Sequence, residues 1–395
     1  MRFPKKKFCM NSVCGGLMVF YIVFWNYLYH DKKAHETHSD VPFIKQSQDT
    51  DVFVNYYREY TYDDPTSYDG PILESWAPLK SRSVKQYINY AFTHYPGSKN
   101  FFNKTLLVMV QSSPSERDHR DNWRTATMRQ LHKNVAVIFI LGQDNDFGDE
   151  QEQKLLEEMH MYQDIVQING LIEHYDNLTL KSLYSLKFFL TNDMFPSRVL
   201  PKYMLKVDMD VFVNIPKLIH LLTEDEEVMQ EEYLLMGQCL CCGGESNSHC
   251  LRQDLGNSKE TSLIRKNWKI PSYLYNGKKY PSYLQGAGYL LSRSSVSCIY
   301  RKALETPYFP MEDVYITGFV AQKCGIKRQD NPHFTDYWKF PFFINWKSML
   351  PKKDFALDRL IVYHLDCGLK TFFKTEVQKN KCHNLIRFIA ETHLT

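Results

Sequence analysis

The sequence predicts an α/β protein with a mainly parallel sheet. Two observations predict it: each strand is a continuous apolar run, and helices alternate with the strands. The predicted strands are Leu106–Val110, Val135–Leu141, Ile165–Ile168 and a run from Tyr203, and the predicted helices are Asn122–Leu131, Gln151–Met161 and Leu178–Leu190. Continuous apolar runs indicate strands covered on both faces, and parallel sheets of this kind bind ligands beyond the carboxyl ends of their strands.

Two aspartates interrupt the last of these strands. Asp208 and Asp210 lie two residues apart in the run Tyr203–Asn214, and on a strand this spacing points both carboxylates to the same face. Like charges in an apolar strand are costly unless a cation lies between them, and carboxylate oxygens suit Mg²⁺ or Mn²⁺. The alternative is a strand end that turns into solvent, where an aspartate caps the turn.

Composition is that of a globular protein with a sizeable core. Apolar residues make up 44% of the 395 residues and charged residues 24%. The net charge is only +3, and Arg2, Lys5, Lys6 and Lys7 stand together at the N-terminus. Because the remainder is close to neutral, we expect no nucleic-acid partner.

The ten cysteines divide into two groups. Cys9 and Cys14 lie near the N-terminus, and the other eight lie in the second half of the chain. An even number fits disulfides in an oxidising compartment, with a pairing that the sequence does not reveal. The alternative is a zinc site formed by Cys239, Cys242 and Cys250, for which no matching histidine spacing is present.

The N-terminal segment predicts a membrane anchor. Residues 8–29 contain no charged side chain and follow three lysines, so we expect one membrane span, a cytosolic tail of residues 1–7 and a luminal remainder. A cleaved signal peptide is the alternative. The polar segment 30–95 is predicted as a stem, and 96–395 as the folded domain that it carries.

Two later segments carry further candidate residues. Gly286 and Gly288 precede the predicted strand Tyr289–Ser292 and would let the backbone approach a ligand closely, although a bulge or turn is an alternative. Glu312 and Asp313 lie in the predicted first turn of a helix, where the macrodipole favours anions. Simple stabilisation of that helix start is the alternative.

Seven segments stand in order along the chain: Arg120-Asp-Asn-Trp-Arg124-Thr125, Phe139–Gly142, Glu158-x-x-x-Tyr162-x-Asp164, Tyr175-x-Asn177-Leu-Thr179-Leu-Lys181, Lys206-x-Asp208-x-Asp210-Val-Phe-Val-Asn214, Tyr280-Pro281 with Gly286-x-Gly288-Tyr289, and Glu312–Tyr315. In this order they resemble the β-1,3-glycosyltransferase family of galactosyl-, N-acetylgalactosaminyl- and N-acetylglucosaminyltransferases. The chain departs from the family at Ala126, Gly170, Glu173 and Met209, where the family has Trp, two acidic residues and Asp.

The resemblance implies a GT-A type, Rossmann-like domain that holds a UDP-sugar, in a single-pass type II Golgi membrane protein. It implies inverting transfer of a hexose or N-acetylhexosamine to an acceptor glycan in β-1,3 linkage, on a glycoprotein or glycolipid. Mn²⁺ is the implied cofactor. The implied metal ligands are Asp208 and Asp210, with His364 as a third ligand or, alternatively, a core histidine.

The resemblance also assigns roles to the remaining candidates. Arg120, Arg124 and Asp164 would contact the nucleotide, with Lys181 as a weaker candidate, and Gly286, Gly288 and Tyr289 would line the donor and acceptor sites. Asp313 is the implied catalytic base, expected to be ionised at neutral pH at its helix start, with Glu312 beside it. Asn103 and Asn177 begin glycosylation sequons.

A second function stays open at this stage. A luminal binding protein or chaperone could keep the fold, lose turnover and assist a related enzyme. The sequence leaves open the donor sugar, the acceptor, and association of the chain with itself or with another chain. Release of UDP from a panel of donors would separate the two functions.

Overall fold

The computed structural model of the chain describes residues 84–88, 91–96, 104–128, 132–190, 201–242, 270, 275, 277, 279–336 and 360–365. The predicted tail and anchor, most of the predicted stem and Asn103 lie outside these residues. Within the described residues, no helix has the length and apolar character needed to cross a membrane.

A mixed sheet of eight strands forms the centre of the fold. Its strands are β1 (Phe92–His94), β2 (Leu106–Gln111), β3 (Val135–Gln143), β4 (Ile165–Ile172), β5 (Tyr203–Asp208), β7 (Leu235–Leu240), β8 (Tyr283–Ser292) and β9 (Gln329–Asp330). Their order is β1-β4-β3-β2-β5-β8-β7-β9. The four central strands β4, β3, β2 and β5 are parallel, and β1 and β8 pair antiparallel with them. The α/β prediction with a mainly parallel sheet is therefore confirmed for the centre.

Helices cover both faces of this sheet. They are α1 (Arg117–Met128), α2 (Asp149–Tyr162), α3 (Leu178–Leu190), α4 (Ile215–Glu224), α5 (Glu226–Gln230), α6 (Arg293–Leu304) and α7 (Ala321–Lys323), with 3₁₀ turns at Val84–Tyr87 and Tyr175–Asn177 and a π-helical segment at Val314–Val320. Buried residues of α1, α2 and α4 share one apolar core, and those of α3, α6 and the π-helical segment share the other.

Local sequence explains where two of these helices begin. The Asn214 side chain accepts the N–H of Lys217 at 3.2 Å and Pro216 follows in the first turn, which starts α4. Ser292 accepts the N–H of Ser295 and starts α6. Both caps satisfy backbone donors that a helix start would otherwise leave without partners.

The strand order switches from one side of β2 to the other between β4 and β5. β3 and β4 follow β2 on one side, whereas β5 lies on its other side and pairs Asp208 with Gln111. Loops that leave the carboxyl ends of β2 and β5 therefore diverge at this point, and a crevice of this kind is where open α/β sheets bind ligands.

The predicted strand that carries both aspartates is shorter than expected. β5 ends at Asp208, Met209 and Asp210 form a turn, and β6 (Val211–Val213) belongs to a second sheet of order β10-β11-β6. In that sheet β10 is Phe334–Asp336 and β11 is Val362–His364. The prediction that one strand face presents both carboxylates was wrong, because the turn separates them.

The folded part begins before the predicted stem boundary at residue 95. Val84 is fully buried, Ile88 is buried, and β1 pairs with β4 through Phe92 and Ile168. These residues pack into the same apolar core as α3. The described part of the segment 84–94, which was predicted as stem, therefore packs with the domain.

Cysteines in the described residues form disulfides, as predicted. Cys239 is joined to Cys242, so these two do not provide zinc ligands, and Cys250 lies outside the described residues. Cys298 of α6 is joined to Cys324, which follows α7. The second bridge closes a loop that contains the π-helical segment.

Candidate active site

The turn after β5 brings Asp210 next to His364. The indole N–H of buried Trp123 donates to the carbonyl of Met209 at 2.9 Å, and the carbonyl of Asp210 accepts the N–H of Leu365 at 2.9 Å. β11 pairs antiparallel with β6 and aligns His364 with Val211. Asp210 Oδ1 then lies 3.4 Å from His364 Nε2. Two of the three predicted metal ligands are therefore in contact.

Asp208 is paired with a buried lysine. Lys206 Nζ donates to Asp208 Oδ1 at 2.7 Å and to the Gly286 carbonyl at 2.6 Å, and it lies 3.7 Å from Glu312 Oε2. Burial alone would lower the pKa of Lys206, but the charges of Asp208 and Glu312 raise it above its usual value. The ammonium therefore keeps its proton.

Glu312 and Asp313 lie at the start of the helical segment that contains the π-helical turns. The Tyr289 hydroxyl donates to Glu312 Oε1 at 2.5 Å. Burial raises the pKa of Glu312, against the opposite effects of Lys206 and this hydrogen bond. We call Lys206, Asp208, Tyr289, Glu312 and Asp313 the lysine cluster.

Asp313 is half-buried and carries a perturbed carboxyl. Burial and the adjacent Glu312 raise its pKa to about 7, against hydrogen bonds from the N–H groups of Val314 and Gly286 and the charge of Lys206. The helix start was expected to keep Asp313 ionised at neutral pH; with a pKa of about 7 the carboxyl is ionised only in part, because desolvation outweighs the backbone donors. A pKa near neutral is the range in which a general base works best.

The two glycines of β8 permit close packing in this cluster. A Cβ added to Gly286 would lie 3.2 Å from Asp313 Cβ and 3.3 Å from Glu312 Oε2, and one added to Gly288 would lie 2.8 Å from Val362. Gly286 therefore lets β8 approach the two carboxylates. Gly288 lets β11 pack over the main sheet.

The predicted nucleotide ligands Arg120 and Arg124 point into the protein. Arg120 is fully buried, and its Nε and Nη2 donate to Glu158 at 2.8 and 2.7 Å. Its other donors reach Ser112 Oγ and the carbonyls of Ser113 and Pro114. All five guanidinium N–H groups thus have acceptors, so Arg120 holds the loop after β2 in place.

Arg124 pairs with Asp164, another predicted nucleotide ligand. Two hydrogen bonds of 2.8 Å join them, and Arg124 Nη1 also lies 2.8 Å from Glu158 and 2.6 Å from Asp121. Although burial alone would raise the pKa of Glu158, the two arginines lower it. We call Arg120, Asp121, Arg124, Glu158 and Asp164 the arginine cluster.

Lys181 connects the loops after β2 and β4. It is buried, donates to both carboxylate oxygens of Glu173 at 2.6 and 2.9 Å, and contacts the carbonyl of Ser112. Glu173 also accepts the N–H of Gly142 at 2.5 Å. Burial raises the pKa of Glu173, against the charge of Lys181. Lys181 therefore holds the loop after β2, which borders the crevice, against the loop after β4.

The metal ligands come together only in part. In the described portion of the chain, no group of three Asp, Glu, His or Cys side chains is close enough to hold a metal ion. Asp208, Asp210 and His364 nevertheless offer carboxylate oxygens and an imidazole nitrogen beside the crevice, which are common ligands of divalent cations. This donor set suits an ion that takes its remaining ligands from phosphate oxygens and water.

Comparison with known proteins identifies the family. A family model described as Galactosyltransferase matches residues 117–332, which is more than half of the 395 residues. This chain belongs to the galactosyltransferase family. The match includes both clusters and ends before His364.

Individual relatives of this galactosyltransferase-family chain are only moderately similar. Beta-1,3-galactosyltransferase 1 of Homo sapiens and of Mus musculus is 30% identical over 241 residues, which cover 60% of this chain and 65% of the relative, slightly less than two thirds of its length. Lactosylceramide 1,3-N-acetyl-beta-D-glucosaminyltransferase of Mus musculus is 26% identical over 273 residues, 67% of this chain and 66% of the relative.

Solved structures show weaker likeness. The WbbM bifunctional glycosyltransferase in its apo form gives a TM-score of 0.36 at 10% identity, over 67% of this chain and 46% of that one. The glycosyltransferase GlyE of Streptococcus pneumoniae TIGR4 gives 0.34 at 12% identity, over 73% and 63%. These scores are too low to support an argument about this galactosyltransferase-family chain.

Asn177 is not available for glycosylation in the folded domain. It is buried, and the amide nitrogen that would carry a glycan donates to the carbonyl of Ile172 at 2.9 Å. Thr179 of the same sequon is fully buried and donates to the carbonyl of Phe309 at 2.9 Å. The sequon at Asn177, whose occupancy the sequence leaves open, is thus packed inside the folded domain, and Asn103 lies outside the described residues.

Four residues that hold the candidate site in place have no role predicted from the sequence. Lys206, Glu158 and Trp123 stand within motifs, and Glu173 stands at a departure from the family pattern. The signal for two of them was a charge inside a buried pattern: Lys206 stands between Leu205 and Val207 of a strand, and Glu158 stands beside Met159 in the buried face of α2. A buried charge requires a partner, and the partner cannot be read from the pattern.

Proposed function

We propose that this chain transfers a hexose or N-acetylhexosamine from a UDP-sugar to an acceptor glycan in β-1,3 linkage, with inversion at the anomeric carbon and in a GT-A type domain. Membership in the galactosyltransferase family supports this function, and the relatives bear the names of β-1,3-galactosyl- and 1,3-N-acetylglucosaminyltransferases. The closeness of Asp208 to Glu312 and Asp313, through Lys206, is the observation that carries the proposal.

The donor would lie in the crevice between the loops after β2 and β5. Asp208, Asp210 and His364 would hold a divalent cation, and Mn²⁺ is our choice. When bound, the cation offsets the negative charge that develops on the leaving UDP. Arg120, Arg124 and Asp164 would serve the nucleotide indirectly, because the arginine cluster fixes the loop Ser112–Pro114.

Asp313 would be the catalytic base. As the acceptor hydroxyl oxygen attacks the anomeric carbon, its proton passes to the Asp313 carboxylate. The new oxygen–carbon bond forms while the bond from the anomeric carbon to the phosphate oxygen breaks, and UDP leaves with that electron pair. Glu312, which is buried and held by Tyr289, is not the base in this scheme.

Activity of the purified full-length chain tests the proposal. Release of UDP is measured with UDP-Gal, UDP-GalNAc and UDP-GlcNAc, each with β-linked acceptors, and the linkage of any product is determined by NMR. We expect release with one donor and a β-1,3 product. Binding of UDP without turnover for any donor would favour the inactive binding protein or chaperone.

We also propose the cellular setting inferred from the sequence. Residues 1–7 would be cytosolic, 8–29 would anchor the chain in the Golgi membrane as a single-pass type II protein, and the domain beyond would be luminal. Protease treatment of sealed microsomes should then remove only an N-terminal tag. Digestion of a C-terminal tag in intact vesicles would contradict this topology.

A further inference from the structure

Lys206 joins three separate elements of the candidate site. It lies in β5, only 3% of it is exposed, and its neighbours in the strand are the fully buried Leu205 and Val207. Its ammonium bonds Asp208 at the end of β5 and the Gly286 carbonyl in β8, and it faces Glu312 at the start of the π-helical region. An apolar side chain would suit this strand better, so the lysine is costly for folding alone.

The contacts of the Lys206 ammonium lie on two sides of the proposed site. Asp208 belongs to the side of the site that would hold the donor, whereas Gly286 and Glu312 belong to the side that presents Asp313. β8 packs tightly against Asp313 at Gly286, where an added Cβ would lie only 3.2 Å from Asp313 Cβ. A displacement of β8 would therefore also displace the proposed base. One cation thus links both sides.

We propose that Lys206 is a positioning residue that fixes Asp208 and the Asp313-bearing segment relative to each other. The inference rests on the proposed transfer reaction. Its charge also acts on Asp313, which is faced by Glu312 of its own segment, Lys206 of β5, and Tyr283 and Tyr289 of β8. Removal of Lys206 would leave three carboxylates with no ammonium between them.

The test uses Lys206→Met in the full-length chain, with Lys206→Arg as the charge-retaining variant. Lys302→Met, at a partly exposed lysine of α6, is the matched control. For Lys206→Met we expect a kcat at least about 10-fold lower and an acid limb of the kcat profile about one pH unit higher. Binding of UDP with Mn²⁺, measured by calorimetry, should weaken by a smaller factor than kcat falls, because Asp210 and His364 are held by other elements and only Asp208 loses its partner.

Lys206→Arg should restore the position of the acid limb, since it restores the charge, without restoring the full kcat. A folded Lys206→Met with wild-type kcat and an unchanged acid limb would overturn the inference. If Lys206→Met does not fold, the acid limb of Lys206→Gln, which keeps an N–H donor but no charge, decides by the same criterion. A wild-type chain without transferase activity would instead refute the proposed function.

Discussion

The arginine cluster and the lysine cluster are both buried groups of cations and carboxylates, but their charges are balanced differently. Two arginines face three carboxylates in the first, and the pKa of Glu158 is lowered. One lysine faces three carboxylates in the second, and the pKa values of Glu312 and Asp313 are raised. The comparison indicates that the first cluster stabilises the fold, while the second retains a carboxyl that can exchange a proton.

The largest expected effect is on stability, in the arginine cluster. Glu158→Gln removes the bidentate partner of the fully buried Arg120, so the free energy of unfolding should fall by about 3–5 kcal/mol. Urea unfolding, monitored by circular dichroism, measures this free energy. The control is Glu157→Gln, an exposed position on the same helix, which should change stability by less than about 0.5 kcal/mol. Equal stability of both variants would contradict the structural role.

Asp210→Ala should instead leave the fold intact and remove activity. Loss of a contact that stabilises the leaving charge costs roughly 3–4 kcal/mol, or on the order of 100- to 1000-fold in kcat. Chelation of the wild-type enzyme should abolish transfer, and Mn²⁺ should restore it. Glu227→Ala, an exposed change in α5, is the control. Full activity after chelation would exclude the proposed metal dependence.

Asp313→Asn removes a base while it keeps the size of the side chain. We expect kcat to fall by about 100-fold or more, with UDP binding nearly unchanged. In the wild type, kcat should fall as the pH drops through about 7, because the carboxylate must be unprotonated to accept the proton. If Asp313→Asn turns over normally and Glu312→Gln is inactive, the roles of the two residues are reversed.

The smallest effect concerns stability in the lysine cluster. The pKa of Asp313 is raised in the folded state, so the folded protein is more stable when this carboxyl is protonated. This contribution to the free energy of unfolding is fully present below about pH 4 and is lost as the pH rises through about 7. Asp313→Asn should therefore be about 1–3 kcal/mol more stable than the wild type at pH 8 and equally stable at pH 4. Thermal unfolding at both pH values checks the sign.

Apolar patterns predicted most of the sheet and two of its helices. α3 was predicted with its observed bounds, and α2 differs by two residues at its start and one at its end. The start of α1 was missed because Arg117 to Asp121 carries four charged residues and no apolar periodicity. The end of β5 was missed because Val211 to Val213 continues the strand-like sequence although the chain has entered another sheet.

The sequence marked candidate residues of the site, but it did not predict which side chains these residues contact. The motifs marked Arg124 and Asp164, but nothing in the sequence shows that these two side chains bind each other. The same limit applies to Asp208, whose partner Lys206 is only two residues away. Long-range packing decides whether a charge meets a ligand or another side chain, and a pattern within one segment carries no information about that.

The disulfide between Cys298 and Cys324 encloses Glu312 and Asp313 in a closed loop of the chain. A bridge across 26 residues restricts the unfolded ensemble and is worth about 3 kcal/mol in the loop-entropy description. The segment that carries the proposed base is therefore secured by a covalent bond that a reducing environment does not support. Without this cross-link the segment that carries Glu312 and Asp313 loses that restraint, so an oxidising compartment contributes directly to the stability of the proposed site.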